Sequence, residues 1–238
     1  MTGCPNCYTS MSTKTVAVHV STRQVDIDAC PACRLFWFDT AESISLTPRA
    51  VLDLFQYVAA TAGTAPTALA SRFKCPRCRN ALAFTNDIQR TTRFTYWRCD
   101  IGHGRLISFN QFLREKNFIR TPSPPELARL RAMVKQISCS QCGAPIDLAK
   151  DSACTHCGAP IALVDPEGVA KAIQELNAPT GAGGQAGNAS VTHQALSDAQ
   201  IDALFDQERI RERGADADLL VIGMQAIGGL VTAFLRTR

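Results

Sequence analysis

Eleven cysteines and one histidine fall into six close pairs: Cys4/Cys7, Cys30/Cys33, Cys75/Cys78, Cys99/His103, Cys139/Cys142 and Cys154/Cys157. Successive pairs combine into three sets of four, and with His103 in the twelfth place no cysteine is left over. The cysteine-bearing stretches are each about 25–45 residues long, too short to bury a self-sufficient apolar core. Such a stretch needs a cross-link to supply what packing cannot. A tetrahedral zinc site takes four nitrogen or sulfur donors, and a C-x2-C step lets one tight turn deliver two of them. Metal binding in such units is largely the folding free energy itself.

Disulfides are the competing cross-link, with redox pairs and an iron–sulfur cluster behind them. Met1-Thr2-Gly3-Cys4 reaches the first donor at once, with no apolar signal segment before it. Thiols kept reduced in the cytoplasm and bound to zinc are therefore expected, three ions per chain. Each set supplies four donors, the mark of a closed structural site with no position left for substrate. The second set is the least regular. With His103 off the metal, three thiolates and a water would form the one place suited to zinc hydrolysis. His156 lies inside the last knuckle and should point outward, while His19 and His193 have no partners.

Residues 1–60 should form a first zinc ribbon and a helix. Val16, Val18 and Val20 alternate with other residues, as do Val25, Ile27 and Ala29, which predicts a hairpin joining the two knuckles. Thr47-Pro48 reads as a helix cap followed by a first-turn proline. Thr61 to Ser71 is an Ala/Thr/Pro/Gly connector. Residues 72–135 repeat the plan, with strands over 82–88, 92–98 and 105–107 and a capping-box pattern at Ser108 and Gln111. A second such pattern, Ser123 with Glu126, opens another helix. Residues 136–177 hold the third ribbon, in which Cys142-Gly-Ala-Pro-Ile146 recurs as Cys157-Gly-Ala-Pro-Ile161. The glycines suit turns of positive φ. Asp165-Pro166 starts a helix, 178–195 is a flexible linker by composition, and 196–238 should form a C-terminal helical hairpin.

Val25-Asp26-Ile27-Asp28-Ala29-Cys30-Pro31-Ala32-Cys33, followed by Trp37-Phe38-Asp39 and Glu42, resembles the bacterial zinc ribbons of transcription-factor-IIB type, whose pattern is V-E-I-D-x-C-P-x-C-G-G-x-W-x-D-x-G-E. The resemblance covers about the first 45 residues and implies a small ribbon with Cys4, Cys7, Cys30 and Cys33 as ligands. Arg34-Leu35 stands where the pattern has paired glycines, and Ala41 where it has a later one. The whole chain is similar to bacterial proteins carrying several zinc ribbons, which tend to show a stretch like Gly102-His103-Gly104-Arg105 followed by Phe112-Leu113-Arg114-Glu115-Lys116. That similarity implies a fold and a metal and supplies no reaction.

Counting the cysteines as thiolates and adding three zinc dications lowers the formal charge from +4 to about −1. The distribution is uneven. Residues 72–120 carry Arg72, Lys74, Arg77, Arg79, Arg90, Arg93, Arg98, Arg105, Arg114, Lys116 and Arg120 against Asp87, Asp100 and Glu115. The metallated segment is then about +7 and the remainder about −8. Phe73, Phe84, Phe94, Tyr96, Trp97, Phe109, Phe112 and Phe118 are interleaved with these cations. Arginines that neutralise phosphates beside rings that stack on unpaired bases suit nucleic acid. The same rings suit the core of a small ribbon, and the cations an acidic protein surface.

Leu219 to Leu235 is apolar apart from Gln225 and Thr232, and at about 17 residues it is shorter than the roughly 20 a bilayer requires. A buried or self-associating helix over 217–235 is favoured over membrane attachment. No phosphate loop, dinucleotide-binding glycine set or H-E-x-x-H is present.

The sequence thus predicts a small metal-stabilised α+β protein of three tandem ribbons with short helices between them. The predicted task is recognition without catalysis, cytoplasmic or peripheral to the inner membrane. Candidate contacts to nucleic acid or a nucleoprotein machine are Arg77, Arg79, Arg90, Arg93, Tyr96, Arg98 and Arg105. A protein–protein scaffold that self-associates or docks at a membrane is the first alternative, and a redox switch that releases zinc is the second.

Overall fold

The computed structural model describes residues 2–18, 24–40, 42–61, 67–89, 92–165 and 167–171, with Leu219 and Ile222. Its first half is a single antiparallel sheet of six strands, β1 (Ser12–Ala17), β2 (Gln24–Cys30), β3 (Leu35–Phe38), β4 (Ala83–Gln89), β5 (Thr92–Arg98) and β6 (Arg105–Ser108). Their order is β1-β2-β3-β6-β5-β4. Two three-stranded ribbons therefore meet edge to edge at their third strands. The seam pairs Leu35 with Ser108, Phe36 with Ile107, Trp37 with Leu106 and Phe38 with Arg105.

The hairpin of the second ribbon lies where it is predicted; in the first, β1 begins earlier and ends at Ala17, Val18 bridges to Leu46 instead, and Val20 lies outside the described residues. Strand β3 is not foreshadowed by any alternation. All four residues of Leu35-Phe36-Trp37-Phe38 are buried, because both faces of the sheet are covered here. Phe36 and Phe38 point into a core under helix α2 (Pro48–Thr61, after a single turn α1 at Glu42–Ser45) and helix α3 (Phe109–Glu115). Leu35 and Trp37 point the other way, into a second core with Leu106, Phe73 and cysteines of the first two sets. A strand buried on both sides reads as an unbroken apolar run.

Capping follows the sequence closely. Thr47 Oγ1 accepts from Ala50 N at 3.1 Å to open α2. Ser108 Oγ accepts from Gln111 N at 3.3 Å, but the Gln111 side chain does not return to the cap. It accepts from Thr95 N at 3.0 Å and donates to Gln141 at 3.0 Å, joining α3 to β5 and to the third ribbon. A full capping box forms at Ser123 and Glu126 at the start of α4 (Pro124–Met133). Arg120 grips the same carboxylate through two bonds of 2.6 and 2.7 Å.

The third ribbon is smaller. Strands β8 (Gln136–Ser138) and β9 (Pro145–Asp147) form its hairpin, while β10 (Leu163–Val164) pairs with β7 (Ile119–Arg120) beyond α3. Leu130 of α4, Ile137, Ile146, Leu148 and Ile161 make its core. Leu219 and Ile222 are helical and buried in this same core, so this part of the C-terminal segment packs on its own chain. The remainder of the predicted C-terminal hairpin, and the 178–195 linker, lie outside the described residues. Among the described residues no helix is long and apolar enough to cross a membrane.

The 61–71 connector is tied down in its second half. Thr67 N donates to Ala32 O at 2.8 Å, and Asn6 holds Ala68 and Ala70 through its side-chain amide.

Candidate metal centres

Each C-x2-C step closes into a tight turn, and the Cys30/Cys33 step differs in its closing bond, from Arg34 N to Pro31 O at 3.2 Å. In four of them the residue after the second cysteine donates its N–H to the carbonyl of the first, as Tyr8 does to Cys4 at 3.0 Å, Arg79 to Cys75 at 2.9 Å, Gly143 to Cys139 at 2.8 Å and Gly158 to Cys154 at 2.8 Å. Closing this turn requires positive φ at the donating residue: 75° at Gly143 and 71° at Gly158, as the repeat predicts. The first two ribbons use side-chain-bearing residues instead, with Tyr8 at 63°, Arg79 at 66° and, in the Cys30/Cys33 turn, Arg34 at 52°. Each such residue costs about 1–2 kcal/mol in the left-handed region.

These turns bring the donors together in the predicted sets: Cys4, Cys7, Cys30 and Cys33; Cys75, Cys78, Cys99 and His103; Cys139, Cys142, Cys154 and Cys157. Within each set all donor atoms lie within 4.8 Å of one another. Sulfur–sulfur distances of 3.7 Å recur between Cys7 and Cys30, Cys78 and Cys99, Cys139 and Cys157, and Cys142 and Cys154. A regular tetrahedron with metal–sulfur bonds of about 2.3 Å has an edge of about 3.75 Å. A disulfide would require about 2.05 Å. His103 presents Nδ1 at 3.5 Å from Cys99 Sγ and 3.9 Å from Cys75 Sγ, close to the roughly 3.55 Å of a mixed sulfur–nitrogen edge. His156 is exposed and outside every set.

The electrostatics of the sulfurs also call for a cation. Burial pushes the Cys33, Cys75 and Cys142 thiols up to about 11. Cys139 is raised by its hydrogen bond to Cys157 and by burial. Cys4 is raised chiefly because it donates to Cys30, whose thiolate is correspondingly favoured at about 5. Four sulfurs so placed cannot all ionise at neutral pH without a positive charge between them. Amides already point at them: Asn6 N to Cys4 at 3.4 Å, Asn6 Nδ2 to Cys33 at 3.2 Å and Arg77 N to Cys75 at 3.4 Å. Each set offers four protein donors, the number a tetrahedral ion would take.

One knuckle position was not singled out by sequence reasoning. The residue just before the second cysteine is Asn6, Ala32, Arg77, Gln141 or His156, polar in four of five turns. Asn6 holds the connector, Arg77 Nη2 donates to Asp39 Oδ2 at 2.9 Å, and Gln141 takes Gln111. His156 is exposed, so it is Arg77 and Gln141 that make contacts between ribbons from this position. The Trp-x-Asp-x-x-Glu stretch of the first ribbon serves the same end. Trp37 Nε1 donates to Asp39 Oδ1 at 2.8 Å, and Asp39 N donates to Glu42 Oε2 at 2.7 Å. Burial, reinforced by Asp39, Asp28 and Asp26, pushes the Glu42 carboxyl up to about 7. Arg34 is buried and donates through Nη1 to Ser140 O of the third ribbon at 3.4 Å.

The predicted partner-facing residues separate into groups. Arg79 and Arg93 are exposed. Arg77 and Arg98 are exposed but paired, the latter with Asp100 at 3.4 Å. Arg90 lies outside the described residues. Tyr96 is half-buried, with its ring 5.8 Å from that of Phe94.

Arg105 is a correction, because it does not belong on a partner-facing surface. It bonds Glu115 at 2.6 Å, contacts Ser43, and lies over the rings of Tyr96 and Phe38. The seam places it inward, where Glu115 and Lys116 complete a buried ion cluster. The aromatic set is also mostly core: Phe73, Phe94, Phe109, Phe112 and Phe118 are buried, Trp97 is half-buried, and Phe84 is exposed.

No protein-family model matches the chain, and no curated protein or solved structure is detectably similar to it.

Proposed function

We propose that this chain binds three zinc ions in closed structural sites and works by recognition without catalysis, contacting nucleic acid or a nucleoprotein machine through its middle ribbon. Zinc is the ion that the donors favour, since it accepts thiolate and imidazole tetrahedrally and holds small folds of this kind. The observation that carries the recognition reading is the set of exposed cations Arg72, Lys74, Arg79 and Arg93, which have no carboxylate partner among the described residues. Unpaired arginines and lysines on a rigid ribbon suit the phosphate backbone.

The test is salt-dependent binding of the zinc-loaded full chain to DNA and RNA. Arg79→Glu, Arg93→Glu and Arg98→Glu together should abolish it. No binding to either polymer at low salt would refute the recognition reading. Metal analysis should give three zinc ions per chain.

A second reading is favoured by one repeated feature. Each centre leaves one cysteine only half-buried, namely Cys7, Cys78 and Cys157. A zinc-releasing redox switch would use these sulfurs as the points of oxidant attack. Release of zinc by mild peroxide, reversed by thiol, supports that role, and full retention opposes it.

A further inference from the structure

A concavity of about 960 Å³ lies between the outer strands of the middle ribbon and the last knuckle of the third. One wall is set by strand register. Phe84 pairs with Trp97, Asn86 with Thr95 and Ile88 with Arg93, so these six side chains share one face of β4 and β5. The opposite wall includes Gln141 and His156. Neither wall could form the groove alone. The third ribbon is held in place by the Gln111–Gln141 and Arg34–Ser140 bonds.

Two features mark what the groove takes. The first is ring surface open to solvent. Phe84 is 57% exposed at the end of the edge strand, and its ring centroid lies 5.6 Å from that of the half-buried Trp97. The second is unneutralised positive charge. Arg93 is exposed and Arg114 half-buried along the groove, and neither meets a carboxylate among the described residues. Nε and Nη2 of Arg114 are buried without a hydrogen-bond partner among the described residues, which leaves Nη1 as the atom through which it can meet a ligand. The one carboxylate in the lining, Asp87, already takes the Ile88 amide at 2.8 Å and the Tyr96 hydroxyl at 3.4 Å. Cys142 and Cys157 of the third metal set line the groove too, and as metal-bound thiolates they add negative charge at the His156 wall, across from Arg93 on the strand wall.

We infer that this groove binds single-stranded nucleic acid, with a base stacked on Phe84 and phosphates held by Arg93 and Arg114. Ring faces are useful only to unpaired bases, since in a duplex the base faces are already stacked. Side-chain amides such as Asn86 and Gln141 offer both donor and acceptor to an exposed base edge. The volume is at the upper end of the about 300–1,000 Å³ of ligand-filled pockets, suited to a short run of nucleotides and not to a double helix. An acidic peptide would satisfy the arginines but would leave the open rings without a stacking partner. The inference rests on the nucleic-acid reading above and sharpens it in two ways: unpaired strand over duplex, and a site shared by two ribbons.

The zinc-loaded full chain should be titrated with oligo(dT) and oligo(rU) of about eight nucleotides, with the same length as duplex, and with polyglutamate. Trp97 provides an internal reporter, because Trp37 is 1% exposed and shielded from a stacking base. The expected result is quenching of tryptophan emission by single strands, weaker binding of duplex, and about a tenfold loss of single-strand affinity in Phe84→Ala. Arg93→Gln should lower the salt slope by about one. Phe84 is exposed, so its truncation leaves the fold intact, with zinc content as the control.

Equal binding of duplex and single strand, unaffected by Phe84→Ala yet lost in Arg79→Glu/Arg98→Glu, overturns the groove while the basic-ribbon reading survives. Polyglutamate binding that depends on Phe84, with no oligonucleotide bound, overturns it in favour of an acidic protein partner. Absence of any nucleic-acid binding at low salt overturns both readings.

Discussion

Glu115→Gln is the sharpest test of how the two first ribbons are joined. The Glu115 side chain is 5% exposed and accepts from Arg105 at 2.6 Å and Lys116 at 3.0 Å. The two cations are themselves only 15% and 17% exposed. Lys116 also donates to Ser43 O at 2.7 Å, so the cluster reaches from α3 to α1 beside the β3–β6 seam. Glutamine keeps the shape and one acceptor oxygen but removes the negative charge that Arg105 and Lys116 share among the described residues. Two cations are then left largely out of water without a counter-ion. Breaking one side of a buried pair costs about 3–5 kcal/mol, and partial exposure of these cations favours the lower end, about 3 kcal/mol.

For a folded unit of this size that is a fall in Tm of about 6–12 °C, measured with zinc held saturating. The loss should shrink as the pH is raised into the alkaline range. Burial already holds the Lys116 ammonium below its usual range against the pull of Glu115. Once that pull is gone, Lys116 sheds its proton more readily in the folded state, so stability rises with pH. Glu115→Gln/Lys116→Met should recover part of the loss. A destabilisation below about 1 kcal/mol, or one independent of pH, would refute the view that Arg105 and Lys116 are committed to the interior.

Three further outcomes follow from the same structure. His103→Cys should keep three zinc ions per chain, whereas His103→Ala should surrender one of the three to a competing chelator; equal retention by both would remove His103 from the metal. Glu42→Gln should stabilise the protein at pH 8 and have little effect at pH 5. The folded-state pKa of about 7 lies above the unfolded value, so stability is lost as pH rises between the two; the same effect at both pH values would contradict this. Arg79→Gly should raise stability by up to about 1 kcal/mol by relieving positive φ at an exposed position, as denaturant unfolding would show, and a loss of stability would count against strain at that turn.

The metal centres were legible in the sequence because their geometry is local. A C-x2-C step closes its own turn, so spacing alone selects the four donors, including the shift to histidine after Cys99. The hairpins and the caps at Thr47, Ser108 and Ser123 were legible for the same reason, since period-2 alternation and hydroxyl caps act within a few residues. At Gln111 the local signal misled. The pattern predicts a reciprocal cap, but the side chain gains more from Thr95 and Gln141, which chain distance hides.

The sequence by itself determined three four-donor sites, the hairpins that carry them and the concentration of positive charge in the middle ribbon. Tertiary structure alone decided that the first two ribbons fuse through Leu35–Phe38 and Arg105–Ser108 into one sheet. It also decided which charges face outward. Gly104 shows why. A Cβ there would stand 2.2 Å from Phe38 O, so the second ribbon's turn lies against the first ribbon's backbone at a contact no local pattern announces. Composition counts every arginine equally. Pairing across the seam turns Arg105 inward to Glu115 and leaves Arg79 and Arg93 in solvent, because burial of a charge is set by what packs against it.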